Sequence, residues 1–230
     1  MKPLLEVDNL SYSYPDGTAA LKGISLRIDT GENVALLGPN GSGKTTLLLH
    51  LNGTLLGSGR ITVAGIPVSR RTLKNVRRDV GIVFQDPDSQ LFMPTVVGDV
   101  MFGLLNMGWH RAAAREKAME SLAQVGLSPE YAERPPFHLS AGEKRRVALA
   151  GVLVMSPKLL ILDEPTSWLD PPGQRGLMHL LRSLPQPKLI ATHDASFAVA
   201  LAGRGIFLRA GHILADGPVS EIIERFDWRC

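Results

Sequence analysis

The sequence predicts an α/β domain with a parallel-sheet core, an antiparallel β portion and a helical lobe, and three features lead there. The first is a set of short apolar runs, Asn33 to Leu37, Val80 to Phe84, Leu159 to Leu162 and Lys188 to Thr192, which read as strands buried on both faces. Such strands need helices on either side, which implies a mostly parallel sheet. The second is polar and apolar alternation over Leu4 to Tyr14 and Gly23 to Ile28, the mark of half-buried antiparallel strands. The third is the loss of any strand signal between Gln85 and Met155, where Arg111 to Val125 carries a helical stripe through Ala114, Ala118, Leu122 and Val125. Pro135 and Pro136 interrupt that stretch before a further helix begins near Gly142, so the lobe is expected to be hinged. One domain over 1–230 follows, with a core at about 1–85 and 156–230 and the lobe at about 86–155.

Composition narrows the function. A chain of 230 residues, 44% hydrophobic, can bury one substantial core with a smaller lobe attached. A net charge of +3 is too weak a basic bias for binding along a nucleic-acid backbone. The longest apolar runs, such as Val147 to Met155, fall short of the roughly 20 residues that cross a bilayer. The opening MKPLLEVDNL meets Glu6 and Asp8 before a long apolar segment develops, so no secretory signal is expected and the cytoplasm is the expected compartment. The single cysteine, Cys230, can form neither an internal disulfide nor a thiolate cluster and reads as a terminal thiol.

Three segments carry chemistry. Gly38 to Thr45 reads GPNGSGKT, a phosphate-binding loop lying between the strand Asn33 to Leu37 and a helix that starts at Thr46. Backbone amides and the helix dipole converge there on one anion site, and polyphosphate is the natural ligand. The candidate contacts are Gly38, Asn40, Gly41, Ser42, Gly43, Lys44, Thr45 and Thr46, with the Lys44 ammonium on the terminal phosphates and the Thr45 hydroxyl on Mg²⁺. The second segment, Leu159-Leu-Ile-Leu-Asp-Glu, delivers Asp163 and Glu164 to a strand's carboxyl end, where open α/β sheets bind ligands. Asp163 suits the magnesium shell, and Glu164 suits a base for an attacking water. The third is Leu139-Ser-Ala-Gly-Glu followed by Lys-Arg-Arg-Val-Ala-Leu-Ala, in which Ser140 opens a helix. From local chemistry alone, Ser140 with Glu143 is read as a reciprocal capping box.

Along the chain the phosphate loop comes first, LSAGE second and the acidic strand third; with Gln85 between the first two and His193 after the last, the segments resemble the nucleotide-binding subunits of ABC transporters along nearly the whole chain. The resemblance implies a P-loop NTPase core of the RecA-like kind, ATP and Mg²⁺ as cofactors, and ATP hydrolysis. LSAGE is similar to the family signature LSGGQ; Ala141 and Glu143 are departures, while Ser140 and Gly142, which face nucleotide in the family, are kept. Further implied roles are Tyr14 stacking on adenine, Gln85 linking magnesium and water to the transporter contact, His193 holding the γ-phosphate, and Asp170 with Ser140 at a dimer interface. From the residues alone, Tyr14 reads as a core aromatic and His193 as an edge histidine. Trp168 stands where the family usually has a small residue. In the family two cassettes sandwich two ATP molecules, the phosphate loop of one facing the signature serine of the other. With Lys44, Glu164, Ser140 and His193 all present, a homodimer would hold two complete sites.

The run from Gln85, Asp-Pro-Asp-Ser-Gln-Leu-Phe-Met-Pro-Thr-Val, is similar to energy-coupling factor transporter ATPases, where Q-[ND]-P-[DE]-x-Q-[LIF]-F-x-x-T-V recurs. That resemblance implies an importer on the cytoplasmic face of a membrane, assembled from a second cassette, a transmembrane coupling protein and a substrate-capturing membrane protein, with no nucleic-acid partner. Asp86, Asp88 and Asp99 are the candidate acids of its coupling groove. Cobalt or nickel is the expected solute, with biotin or another vitamin as the alternative and a non-transport ABC ATPase as a further one. The six histidines include no i, i+4 pair, so no site for a transported metal is expected within the chain. Arg70, Arg71, Lys74, Arg77 and Arg78 read as a wetted helix face.

Overall fold

The computed structural model describes residues 3–228, so the reading of Cys230 falls outside the described residues. The chain begins with a long hairpin, β1 (Pro3–Ser13) and β2 (Ala19–Asp29), then β3 (Val34–Leu37), α1 (Lys44–Leu51), β4 (Ser58–Val63), β5 (Ile66–Pro67), α2 (Leu73–Asp79) and β6 (Val80–Val83). Three helices follow, α3 (Val96–Asn106), α4 (Arg111–Gln124) and α5 (Ala141–Leu153), with short 3-10 turns before α3 and α5. The return comprises β7 (Leu159–Asp163), α6 (Pro171–Ser183), β8 (Lys188–Ala191), α7 (Ala195–Leu201), β9 (Arg204–Arg209), β10 (His212–Pro218) and α8 (Val219–Arg225).

Two sheets result. One is antiparallel, in the order β2-β1-β4-β5; the other runs β10-β9-β3-β8-β7-β6 and is parallel except for its β9–β10 edge. All four runs read as doubly buried strands lie in the second sheet, each within a residue of its expected bounds. The alternation of β7 explains why Leu159 to Leu162 are all apolar. Leu160 and Leu162 enter a core formed with α3 to α7, whereas Leu159 and Ile161 enter the core between this sheet and the antiparallel one. Leu47, Leu48 and Leu51 of α1 belong to that second core, so the helix after the phosphate loop is fixed between the sheets.

The helical stripe of α4 faces inward as expected: Ala114, Ala118, Leu122 and Val125 are all fully buried, against α3 and α5. The five basic residues Arg70, Arg71, Lys74, Arg77 and Arg78 are exposed, but Arg70 and Arg71 lie in the turn before α2 and not on its face. Strands β4, β5, β9 and β10 were not expected from the sequence. Among the described residues no helix is long and apolar enough to cross a membrane.

Candidate functional site

The loop between β3 and α1 depends on glycine at two positions. Gly38 has φ +146°, and a Cβ there would stand 2.0 Å from the carbonyl oxygen of Leu208. Gly43, at φ +106°, would place a Cβ 2.6 Å from the Ala20 oxygen. Only glycine allows the backbone to close so tightly and turn into α1. Lys44 is folded back over the loop, its Nζ donating to Gly38 O at 2.7 Å and Pro39 O at 3.3 Å and standing 3.7 Å from Glu164 Oε1. The ammonium is thus held beside the loop's amides and the carboxylates at the tip of β7.

Those carboxylates are buried for the reason the sequence suggests: β7 lies inside the sheet and ends at Asp163. Thr45 donates its hydroxyl to Asp163 Oδ2 at 2.8 Å, while Asp163 Oδ1 is buried without a hydrogen-bond partner. Burial raises the Asp163 pKa above its ordinary value, against the Thr45 bond that lowers it, and the Glu164 charge raises it further. A hydroxyl and a carboxylate with a spare oxygen form a hard-oxygen donor pair that suits Mg²⁺, which takes its remaining ligands from phosphate and water. Among the described residues no cluster of three or more His, Cys, Asp or Glu could hold a metal by itself.

Glu164 adopts a left-handed backbone, φ +44°, anchored by its amide to Ala191 O at 2.8 Å. Its Oε2 accepts from the His193 backbone amide at 3.2 Å and lies 2.8 Å from His193 Nδ1. The adjacency of β7 and β8 creates this pairing, since both residues follow carboxyl ends of neighbouring parallel strands. His193 thus follows a strand in the interior of the sheet, and its ring is bonded to Glu164. Tyr14 departs from the reading as a core aromatic: it is 36% exposed, at the rim of the loop, with its hydroxyl 2.9 Å from Thr46 Oγ1.

One cavity of about 470 Å³ is lined by Tyr14, Asn40, Gly41, Ser42, Gly43, Lys44, Thr45, Thr46, Gln85, Asp163, Glu164 and His193. Thr18 of the β1–β2 turn and Ala19 and Ala20 at the start of β2 complete its wall, a contribution no motif signals. Ser140, Gly142 and Asp170 lie outside it. Ser140 caps α5 in a full capping box, its amide donating to Glu143 Oε2 at 2.7 Å and its Oγ accepting from the Glu143 amide. Glu143 also accepts from the Tyr131 hydroxyl at 2.7 Å, and these bonds, Tyr131 first, depress its pKa. Asp170 caps α6 through Gly173 N, and Trp168 is 79% exposed.

The three groove acids separate. Asp86 caps the 3-10 turn Pro87–Ser89, and Asp88 pairs with Lys144 at 2.6 Å; both border a cavity of about 400 Å³ with Gln85, Ser167 and Trp168. Asp99 instead lines a different cleft of about 240 Å³ with Phe84, Phe92, Phe102 and Val152. Its Oδ1 accepts from the Phe92 and Met93 amides, its Oδ2 is buried without a partner, and burial raises its pKa.

Comparison with known proteins agrees with this geometry. The family model described as ABC transporter matches residues 21–167. The energy-coupling factor transporter ATP-binding protein EcfA of Methanothermobacter thermautotrophicus is 46% identical over 225 residues, 95% of this chain and 72% of that protein. The structure of cbiO1 from Clostridium perfringens, part of the ABC transporter complex cbiONQ, superposes with a TM-score of 0.85 at 41% identity, covering 99% of this chain and 93% of that one. A dimeric post-hydrolysis state of the ATP-binding cassette MJ0796, bound to ADP and Pi, gives 0.83 at 28% identity over 94% and 98%. With its phosphate loop, paired acids and signature segment on this frame, the chain belongs to the ABC transporter family, as an ATPase of the energy-coupling factor type.

Proposed function

We propose that this ATPase works as a homodimer that powers uptake of a small solute, a transition-metal ion such as cobalt or nickel, through a transmembrane coupling protein and a substrate-capturing membrane protein at the cytoplasmic face of the membrane. One observation carries the dimer: a single cavity gathers the phosphate loop, Gln85, Asp163, Glu164 and His193, while Ser140 and Gly142 lie outside it. A second copy would supply them. Closure then depends on nucleotide and is released by hydrolysis, giving a two-state device able to drive a membrane partner.

Within the site, Lys44 leaves the Gly38 and Pro39 carbonyls for the β- and γ-phosphates, and the loop amides hold the remaining oxygens. Thr45 and Asp163 would hold Mg²⁺, which supplies neutralisation of the charge between the phosphates. Glu164 accepts a proton from the attacking water as the new bond to γ-phosphorus forms and the bond to the bridging oxygen of ADP breaks. His193 Nδ1 fixes the Glu164 carboxylate, and its other ring nitrogen is the group assigned to the γ-phosphate. Gln85 orients the water, Tyr14 offers its ring to adenine from the rim, and Asp170 joins the dimer interface.

Asp99, with its unpartnered oxygen in an apolar cleft beside Phe92 and Phe102, is the acid best suited to a cationic side chain of the coupling protein. Asp86 and Asp88 are secondary candidates, since both already hold partners within the chain. The solute assignment rests on organisation: one cassette complete in both half-sites suits a dedicated transporter, and the likeness to cbiO1 of a cbiONQ complex supports the same direction. Reconstitution with the membrane partners, followed by ATP-dependent uptake of radiolabelled cobalt, nickel and biotin, tests it. Uptake of biotin alone would overturn the metal assignment, and uptake of none would overturn the transporter class.

A further inference from the structure

Arg145 lies one turn into α5, two residues beyond the signature, and is only 2% exposed. A guanidinium so deeply buried is costly unless its donors are satisfied; here both terminal nitrogens are, while Nε is buried without a hydrogen-bond partner. Its Nη1 donates to Phe84 O at 2.6 Å, and its Nη2 donates to Gln85 O at 2.6 Å and to Ser167 O at 3.3 Å. The fork therefore grips two successive carbonyls of the segment carrying Gln85 and, with the same nitrogen, the loop that follows Glu164. Gln85, Arg145 and Ser167 also line one cavity of about 400 Å³. The guanidinium bonds directly to both segments.

We propose that Arg145 is a positioning residue for ATP hydrolysis, holding the Gln85 segment and the loop after Glu164 in one register and passing a displacement of either to α5, whose cap is Ser140. The proposal rests on the assignment of Gln85 and Glu164 to the attacking water. It follows that Arg145 acts on turnover and not on nucleotide affinity, because none of its bonds reaches the phosphate loop. Lysine cannot replace it. An ammonium keeps the charge but not the planar fork that spans adjacent carbonyls.

The test compares Arg145→Lys with Arg146→Lys in the full chain. Arg146, the next residue of the same helix, donates to Val125 O away from both loops and serves as the structural control. For Arg145→Lys, kcat should fall by at least about tenfold, since small misplacement of reacting groups is costly, while the KM for MgATP stays within about twofold. Hydrogen exchange should quicken in residues 84–91 and 165–170 only. Arg146→Lys should keep kcat, whatever its effect on melting. Arg145→Gln, whose amide can still donate to one carbonyl, is the second variant should lysine disturb folding, and the same split is expected. Unchanged kcat at position 145, or a joint loss of kcat, KM and melting temperature with exchange raised throughout, overturns the proposal alone. Absence of ATP hydrolysis in the unsubstituted chain overturns the assignment of the site, and this proposal with it.

Discussion

Lys44→Ala isolates the charge at the phosphate loop. The Lys44 side chain is 7% exposed and its ammonium is hydrogen-bonded to Gly38 O and Pro39 O, so in this variant the loop keeps its glycine-dependent path but loses its only side-chain cation. A charge-assisted hydrogen bond contributes about 1.5 to 3 kcal/mol. At about 1.4 kcal/mol per tenfold, MgATP binding should weaken by about 10- to 150-fold. The protein should still fold, because Glu164 retains His193 as a partner and borders a cavity that admits water, and the loss of stability should stay within about 1 to 3 kcal/mol. Isothermal calorimetry at fixed ionic strength reads the affinity, and a thermal melt reads the fold. A folded variant that binds MgATP within twofold of the unsubstituted chain would refute the assignment of Lys44 to the phosphates.

Glu164→Gln should bind ATP normally and abolish turnover, since the amide holds water but cannot take its proton; size-exclusion chromatography with MgATP should then show a trapped dimer. Steady hydrolysis at the unsubstituted rate would remove Glu164 as the base. Asp163→Asn tests the electrostatics of the buried tip. The Asp163 pKa is raised in the folded protein, so its contribution to stability is fully present below the ordinary value of 3.8 and is lost as pH rises through the folded value. At pH 7 the raised pKa therefore costs stability, and the asparagine variant should melt higher than the unsubstituted chain, by a margin that shrinks toward pH 3.8, while Mg²⁺-dependent ATP binding weakens. A variant that melts lower at pH 7 would contradict the cost ascribed to burial.

The parallel core and the phosphate loop were legible because both impose hard local demands. A strand buried on two faces must be apolar along its buried length, as Leu159 to Leu162 of β7 are, and a loop that passes 2.0 Å from a neighbouring carbonyl where a Cβ would stand must be glycine at Gly38. The capping box at Ser140 is likewise a local matter, read from two residues and realised in the fold. Strands β4 and β10 were not legible. In β4 only Ile61 and Val63 are buried, and in β10 no residue is, so neither offers enough apolar alternation to announce itself. From the residues alone Tyr14 reads as a core aromatic, because an aromatic in an alternating strand looks inward, whereas it stands beyond the end of β1, at the rim of the cavity where its resemblance-based role requires it. Arg145 was invisible for a different reason: within Lys-Arg-Arg it looks like one more charge on a helix surface, and only the approach of three distant carbonyls gives it a buried place.

Chains carrying Lys44→Ala and Ser140→Arg together test whether the sites are shared between two copies. Each alone should fail to turn over ATP: the first cannot hold the phosphates, and the second presents an arginine where the partner's nucleotide must dock. Mixed in equal amounts, they should form some heterodimers in which one site has both Lys44 and Ser140 intact. Single-site ATP turnover should then appear in the mixture and in neither parent. Verified heterodimers with no turnover would contradict the shared site and return Ser140 to the simple helix cap that its own hydrogen bonds describe.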